Sequence, residues 1–181
     1  MKIFKTNMQG LCIIQPEIHG DKRGYFYESF RDDIFKKKFP DINFCQENES
    51  MSSFGVLRGL HYQIYPNAQS KLVRVIHGKV LDVVVDIRKK SKTFGKYLAI
   101  ELSSKNKKQL FIPKGFAHGF VVLSEKAIFS YKVDSYYNKS SERGIAYNDE
   151  FLAIDWKVDF KEMKISEKDL NQPHFNDADY L

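Results

Sequence analysis

The chain has 181 residues, 43% apolar and 14% aromatic, and carries 29 Lys and Arg against 23 Asp and Glu for a formal charge of +6. That length suits one domain with a real core, residues 1–181, rather than two, and the aromatic load argues against disorder. The cations are scattered and carry no nucleic-acid-binding signature, and the early apolar run Leu11 to Ile14 is far short of a signal core or a membrane span, which points to a cytoplasmic protein that keeps a few cations for a small anionic ligand.

Residues 11–30 read as an apolar strand, a turn at His19-Gly20-Asp21 and a hairpin-like return through the aromatic stretch Tyr25 to Phe30. Asp32 to Phe39 has Ile34 and Phe35 at helical spacing from Lys38 and Phe39, and Pro40 ends this one short helix. From Phe44 onward the pattern is strand after strand. Leu81, Val83, Val85 and Ile87 alternate with Asp82, Val84 and Asp86, as in a strand whose second face meets something polar, the cavity of a closed barrel for example. Turn signals at Pro66-Asn67, His77-Gly78, Phe94-Gly95, Lys105-Asn106 and Lys114-Gly115 recur at the intervals of antiparallel sandwiches and jelly rolls. A polar loop follows at Asn138 to Gly144, and Ser166-Glu167-Lys168-Asp169 has the form of a helix cap before Pro173. The tail to Leu181 shows no pattern. Cys12 and Cys45 form no C-x-x-C pair and are expected to be buried free thiols.

Two stretches carry chemistry. Gly55-Val56-Leu57-Arg58-Gly59-Leu60-His61-Tyr62-Gln63 sets polar side chains inside a segment that otherwise reads as a buried strand, where they are costly without partners. Regular alternation would send Arg58 and His61 to opposite sides of the sheet, so Gly59 is a candidate bulge that re-aims one toward the other. An edge strand with a solvated Arg and a hydrogen-bonded core His fits the same residues. Pro113-Lys114-Gly115-Phe116-Ala117-His118-Gly119-Phe120 has the Pro-x-Gly-x-x-His spacing of the second cupin motif, and Gly55 with His61 opens the first. Together they support a mainly β, cupin-type jelly-roll β-sandwich or barrel with a few short helices. A cupin metal site wants a second imidazole two residues after His61 and then a carboxylate. Gln63 stands there and no carboxylate or His follows through residue 70, so no metal is expected.

These stretches, with Gln46 to Ser50, Ala68 to Val75, Asp82 to Arg88 and Tyr131 to Tyr137, resemble the dTDP-4-dehydrorhamnose 3,5-epimerase family over residues 3–177. The resemblance implies a cofactor-independent epimerase of a nucleotide-activated 4-keto-6-deoxy sugar. Its C3 and C5 protons are acidic because the charge left behind delocalises onto the C4 oxygen, which calls for a base near carbon and a cation near oxygen. By the resemblance His61 is the base, Asp169 its carboxylate partner, Lys71 the cation and Tyr131 the proton donor on the opposite face. Each has a plainer reading. Asp169 suits a helix cap, Tyr131 shares strand parity with Phe129 and Val133 and suits the core, Lys71 suits the surface and His118 a packed core position.

For binding, the resemblance implies Arg23 and Arg58 at the diphosphate, with Glu28, Gln46, Asn48, His118, Glu142 and Lys168 as further substrate contacts and Tyr137 as a stacking surface for the base. It also implies a homodimer whose N-terminal strands cross to the partner, so that Arg23 and Glu28 serve the neighbouring site. Glu47 stands where the common pattern has Asp and flanks two nucleotide contacts, which leaves dTDP against GDP open. Relatives acting on GDP-linked 6-deoxyheptoses, enzymes inverting C3 alone, a sugar-nucleotide 3,4-ketoisomerase and a non-catalytic sugar-nucleotide binder are the alternatives.

Overall fold

The computed structural model describes residues 1–180. Among them the strands are β1 (Lys2–Lys5), β2 (Cys12–Gln15), β3 (His19–Asp21), β4 (Gly24–Phe26), β5 (Gln46–Ser53), β6 (Val56–Gln63), β7 (Lys71–His77), β8 (Lys79–Asp86), β9 (Tyr97–Ser103), β10 (Gln109–Ile112), β11 (Phe116–Val122), β12 (Lys126–Val133), β13 (Glu142–Gly144) and β14 (Lys164–Ile165). Two helices, α1 (Asp32–Lys38) and α2 (Glu167–Leu170), are short. One sheet runs β1-β2-β10-β7-β12-β5; the other runs β13-β6-β11-β8-β9 and takes β14 in parallel beside β6. This is the expected jelly-roll sandwich, and all five turn signals of the strand-rich region fall between consecutive strands from β6 to β11.

Between the sheets Val73, Val75, Leu110, Ile112 and Phe129 of the first meet Val80, Val84, Leu102, Phe116, Phe120 and Val122 of the second. A second core lies on the outer face of the second sheet, where Leu57, Leu60, Val83, Val85 and Val121 are covered by Ile145, Leu152, Ile154, Trp156 and Phe175. β8 after Lys79 is therefore buried on both faces, with Asp82 and Asp86 as the interruptions of its apolar run. The expected polar face is half right. Asp82 turns into the sandwich, whereas the Asp86 carboxylate accepts hydrogen bonds from Arg88, Ser91 and Thr93 at the strand end.

The seven residues of α1 are too few for a helix stable in isolation. Phe35, fully buried among Phe30, Phe39, Phe44 and Phe111 on the outside of the first sheet, holds it there; burial of such a ring stabilises by about 2–3 kcal/mol.

Two expectations need correction, and one silent stretch is filled in. His19–Asp21 is a strand rather than a turn; the reversal is at Lys22-Arg23, where Asp21 Oδ1 accepts the Arg23 amide at 2.8 Å. Cys12 is buried, but Cys45 is exposed on a connection at the sheet edge. The patternless tail is ordered by Phe175 and Tyr180, which pack on the outer core, and by the Tyr62 hydroxyl, which donates to the Asp179 carbonyl.

Candidate active site

At one end of the sandwich the two sheets part around a cleft of about 310 Å³ that adjoins a second of about 290 Å³, with Asn48, His61, Lys71 and Tyr131 lining both. β6 reaches this cleft through a bulge. His118 of β11 stands opposite His61 and Phe120 opposite Arg58, so three steps on β6 match two on β11. The extra residue puts Arg58 and His61 on the same face, as the position of Gly59 suggested. Gly59 has φ +139°, and a Cβ there would lie 2.5 Å from Gly119 Cα. Leu57 and Leu60 are both turned into the outer core instead.

His61 Nε2 lies 2.5 Å from Asp169 Oδ1, between side chains 29% and 4% exposed. Burial alone would raise the Asp169 carboxyl, but the hydrogen bond and charge of His61, with the Gly59 amide and the Ser166 hydroxyl, outweigh it and hold the group below its ordinary value. An ionised carboxylate only accepts, so Nε2 carries a proton toward Asp169, and in the neutral imidazole the free lone pair is on Nδ1. The capping role at this turn belongs to Ser166, whose Oγ accepts the Asp169 amide at 3.2 Å; the Asp169 side chain is turned to His61. α2 is placed there by β14 beside β6 and by the Pro173 carbonyl, which accepts the Ala146 amide.

Lys71 opens β7 on the opposite sheet. It is half-buried, its Nζ lies 3.4 Å from the His61 carbonyl, and burial, opposed by the charges of Asp82 and Glu142, pushes its pKa down to about 8. Tyr131 follows Phe129 on the inward face of β12, as its parity predicted, yet it lines the cleft. Burial pushes its phenol up, opposed by the Asn48 hydrogen bond and the Arg58 charge. His61 and Tyr131 thus face one space from different sheets.

His118 is 7% exposed, stacks on Phe129 and donates Nε2–H to Asp82 Oδ2 at 2.9 Å, so it is both packed and cleft-lining. Asp82, which holds His118 from behind the cleft, was not among the expected site residues, although its position among the valines of β8 was a signal; Glu49, Ser50 and Gln69, which line the clefts, were not expected there either. The second oxygen of Asp82 has no hydrogen-bond partner among the described residues. At the mouth Glu142 accepts from the Tyr137 hydroxyl (2.9 Å) and from Lys168 (2.5 Å). Burial would raise Glu142, but these two bonds and the Lys168 and His61 charges hold it low. Gln46 and Asn48 turn inward on β5, and Gln46 Nε2 donates to Asn48 Oδ1 at 2.8 Å. Arg58 Nε donates to Ser52 Oγ.

The structure does not bring Arg23 and Glu28 to this cleft. They stand on or beside the exposed β3–β4 hairpin, paired with Asp21 and Arg31. Glu47 has the opposite parity to Gln46 and Asn48 and bonds Ser130 and Lys132 on the outer face of the first sheet, away from the cleft of its own chain. No cluster of three or more His, Cys, Asp or Glu side chains that could hold a metal occurs among the described residues. No helix among them is long and apolar enough to cross a membrane. Gln63, at the cupin ligand position, spends its amide on the backbone of two loops.

The family model for dTDP-4-dehydrorhamnose 3,5-epimerase matches residues 5–177. The dTDP-4-dehydrorhamnose 3,5-epimerase of Shigella flexneri is 49% identical over 182 residues, which is 100% of this chain and 99% of the relative. Among solved structures, that of dTDP-4-dehydrorhamnose 3,5-epimerase from Elizabethkingia anophelis superposes with a TM-score of 0.93 at 51% identity, covering 98% of this chain and 97% of the other. The dTDP-6-deoxy-D-glucose-3,5-epimerase of Legionella pneumophila, in complex with dTDP-4-keto-L-rhamnose, gives 0.93 at 47% identity, with 98% and 94% covered.

Proposed function

The chain belongs to the dTDP-4-dehydrorhamnose 3,5-epimerase family, and from that premise we propose how its cleft inverts two carbons of a sugar nucleotide. The protein is a carbohydrate epimerase of deoxysugar biosynthesis that acts on a dTDP-linked 4-keto-6-deoxy sugar at C3 and C5. His61 Nδ1 takes a proton from the carbon beside the ketone, and Asp169 stabilises the imidazolium that forms. The electron pair moves onto the C4 oxygen, where the Lys71 ammonium, still protonated at pH 7, receives the enolate charge. Tyr131 gives its hydroxyl proton to the opposite face of the same carbon. Imidazolium and phenolate then return to their starting states by exchange with solvent.

Arg58 takes the diphosphate, Gln46, Asn48, His118, Glu142 and Lys168 hold the nucleotide and sugar, and Tyr137 stacks on the base. Arg23 and Glu28 serve the cleft of a second copy in a cytoplasmic homodimer, and the exposed Tyr25 and Phe26 of the same hairpin, 60% and 67% accessible, supply apolar surface for that contact. The observation that carries this reading is the 2.5 Å His61–Asp169 pair facing Tyr131 and Lys71 across one cleft.

Incubation with dTDP-4-keto-6-deoxyglucose in deuterated water, followed by NMR, tests it. Deuterium at both C3 and C5 of an inverted product is expected. Deuterium at C3 alone refutes the double inversion, and preference for a GDP-linked heptose refutes the assignment of the base.

A further inference from the structure

Three hydrogen bonds converge on one buried side-chain amide at the end of β6. Gln63 is 4% exposed. Its Nε2 donates to the Asn67 carbonyl at 2.6 Å and the Tyr136 carbonyl at 3.2 Å, and its Oε1 accepts the Asn138 amide at 2.7 Å. Turned over, the amide would face oxygen to oxygen and N–H to N–H, so this set of partners admits one orientation and one kind of side chain.

The Tyr136 carbonyl and the Asn138 amide belong to the two peptide planes that meet at the Tyr137 Cα. Peptide planes are rigid, so holding both fixes φ and ψ of Tyr137 and with them the direction of its Cα–Cβ bond. Little else does so. The Tyr137 ring is 56% exposed, and its one side-chain hydrogen bond runs from the hydroxyl to Glu142. The other side-chain ties between these loops, Gln69 Nε2 to the Ser135 carbonyl and Ser141 Oγ to Asn67 Oδ1, and the Ile64 amide to the Ser141 carbonyl, leave the two planes beside Tyr137 untouched.

We propose that Gln63 is a positioning residue for nucleotide recognition, holding Tyr137 in place as the face on which the nucleobase stacks. This rests on Tyr137 being the stacking residue, as proposed above. At the position where metal-binding cupins place a ligand, this chain uses an amide to preorganise the mouth of its cleft. Without it, binding has to order the two Tyr137 dihedrals, which weakens affinity by about 5- to 30-fold.

The test is a cycle of wild type, Gln63→Met, Tyr137→Ala and the double variant, with dTDP affinity from calorimetry and steady-state rates on dTDP-4-keto-6-deoxyglucose. Gln63→Met should raise Kd and KM by about 5- to 30-fold and leave kcat within about twofold. Tyr137→Ala should weaken dTDP by roughly tenfold. The double variant should bind no more weakly than Tyr137→Ala, because the ring that Gln63 places is gone. A merely structural defect lowers the calorimetric stoichiometry and not the affinity of the folded fraction. If the Met variant does not fold, Gln63→Asn replaces it, a neutral amide too short to span both loops. Losses that multiply in the double variant, or an unchanged Kd in Gln63→Met beside a weakened Tyr137→Ala, overturn the proposal. An unchanged Kd in Tyr137→Ala instead overturns the stacking role beneath it.

Discussion

Replacing Asp169 by Asn separates orientation of the base from helix capping. On the stability side the loss is small. Ser166 Oγ caps the turn through the Asp169 backbone amide and does not depend on the side chain. The Asn oxygen can still accept His61 Nε2–H, so a charge-assisted bond becomes a neutral one at a cost of about 1 kcal/mol. The bond from the Gly59 amide is already long at 3.5 Å, and removing a buried charge relieves its desolvation. A net change near 1 kcal/mol lowers Tm by about 2–4 °C for a chain of this size.

On the rate side the loss is large. Proton transfer makes His61 cationic beside the carboxylate, and two unit charges about 4 Å apart attract by about 4 kcal/mol at an effective dielectric of 20. His61 is 29% exposed, which screens roughly half of that. The remaining stabilisation of the transition state, about 2 kcal/mol, corresponds to a fall in turnover of roughly 30-fold. Initial rates and thermal melts on the same preparations decide it. Turnover within about threefold of wild type, or a rate lost only in proportion to unfolded protein, would refute a catalytic partner at Asp169. The acid side gives a second check. A carboxyl held low in the folded state contributes stability above its unfolded value and loses it as pH falls through the folded one, so the Asn variant should be less acid-sensitive.

Turnover should decline as pH rises through about 8, where Lys71 loses its proton, and a rate that stays level to pH 10 would remove Lys71 from the enolate. The same group affects stability in the opposite sense. Between about 8 and 10.5 the unfolded chain holds the Lys71 proton and the folded chain does not, so its contribution to stability rises with pH across that window and Lys71→Met flattens the rise. Tyr131→Phe should keep dTDP affinity and some exchange of the C3 or C5 proton in deuterated water while most net inversion is lost; inverted product at the wild-type rate would make Tyr131 a packing residue. Glu47→Asp should leave the dTDP Kd unchanged within error, because the side chain lies on the outer face with Ser130 and Lys132, and a several-fold shift would place it at the nucleotide after all.

Residue pattern alone determined what depends on near neighbours in the chain. Period-two alternation and turn chemistry marked the strands from β5 to β12, Gly59 marked the bulge that unites Arg58 with His61, and Ser166 marked the start of α2. The outward face of Glu47 followed from its parity, opposite to that of Gln46 and Asn48, but the sequence reading set it beside the nucleotide instead. Tertiary structure alone decided what meets across the sandwich. His61 and Asp169 are 108 residues apart and His118 and Asp82 36 apart, while the two loops that Gln63 braces belong to different sheet connections. Those encounters follow from sheet order, which local propensity does not encode: strands adjacent in a jelly roll are seldom adjacent in the chain, so the partner of a buried polar side chain becomes known only when the sheets close over it.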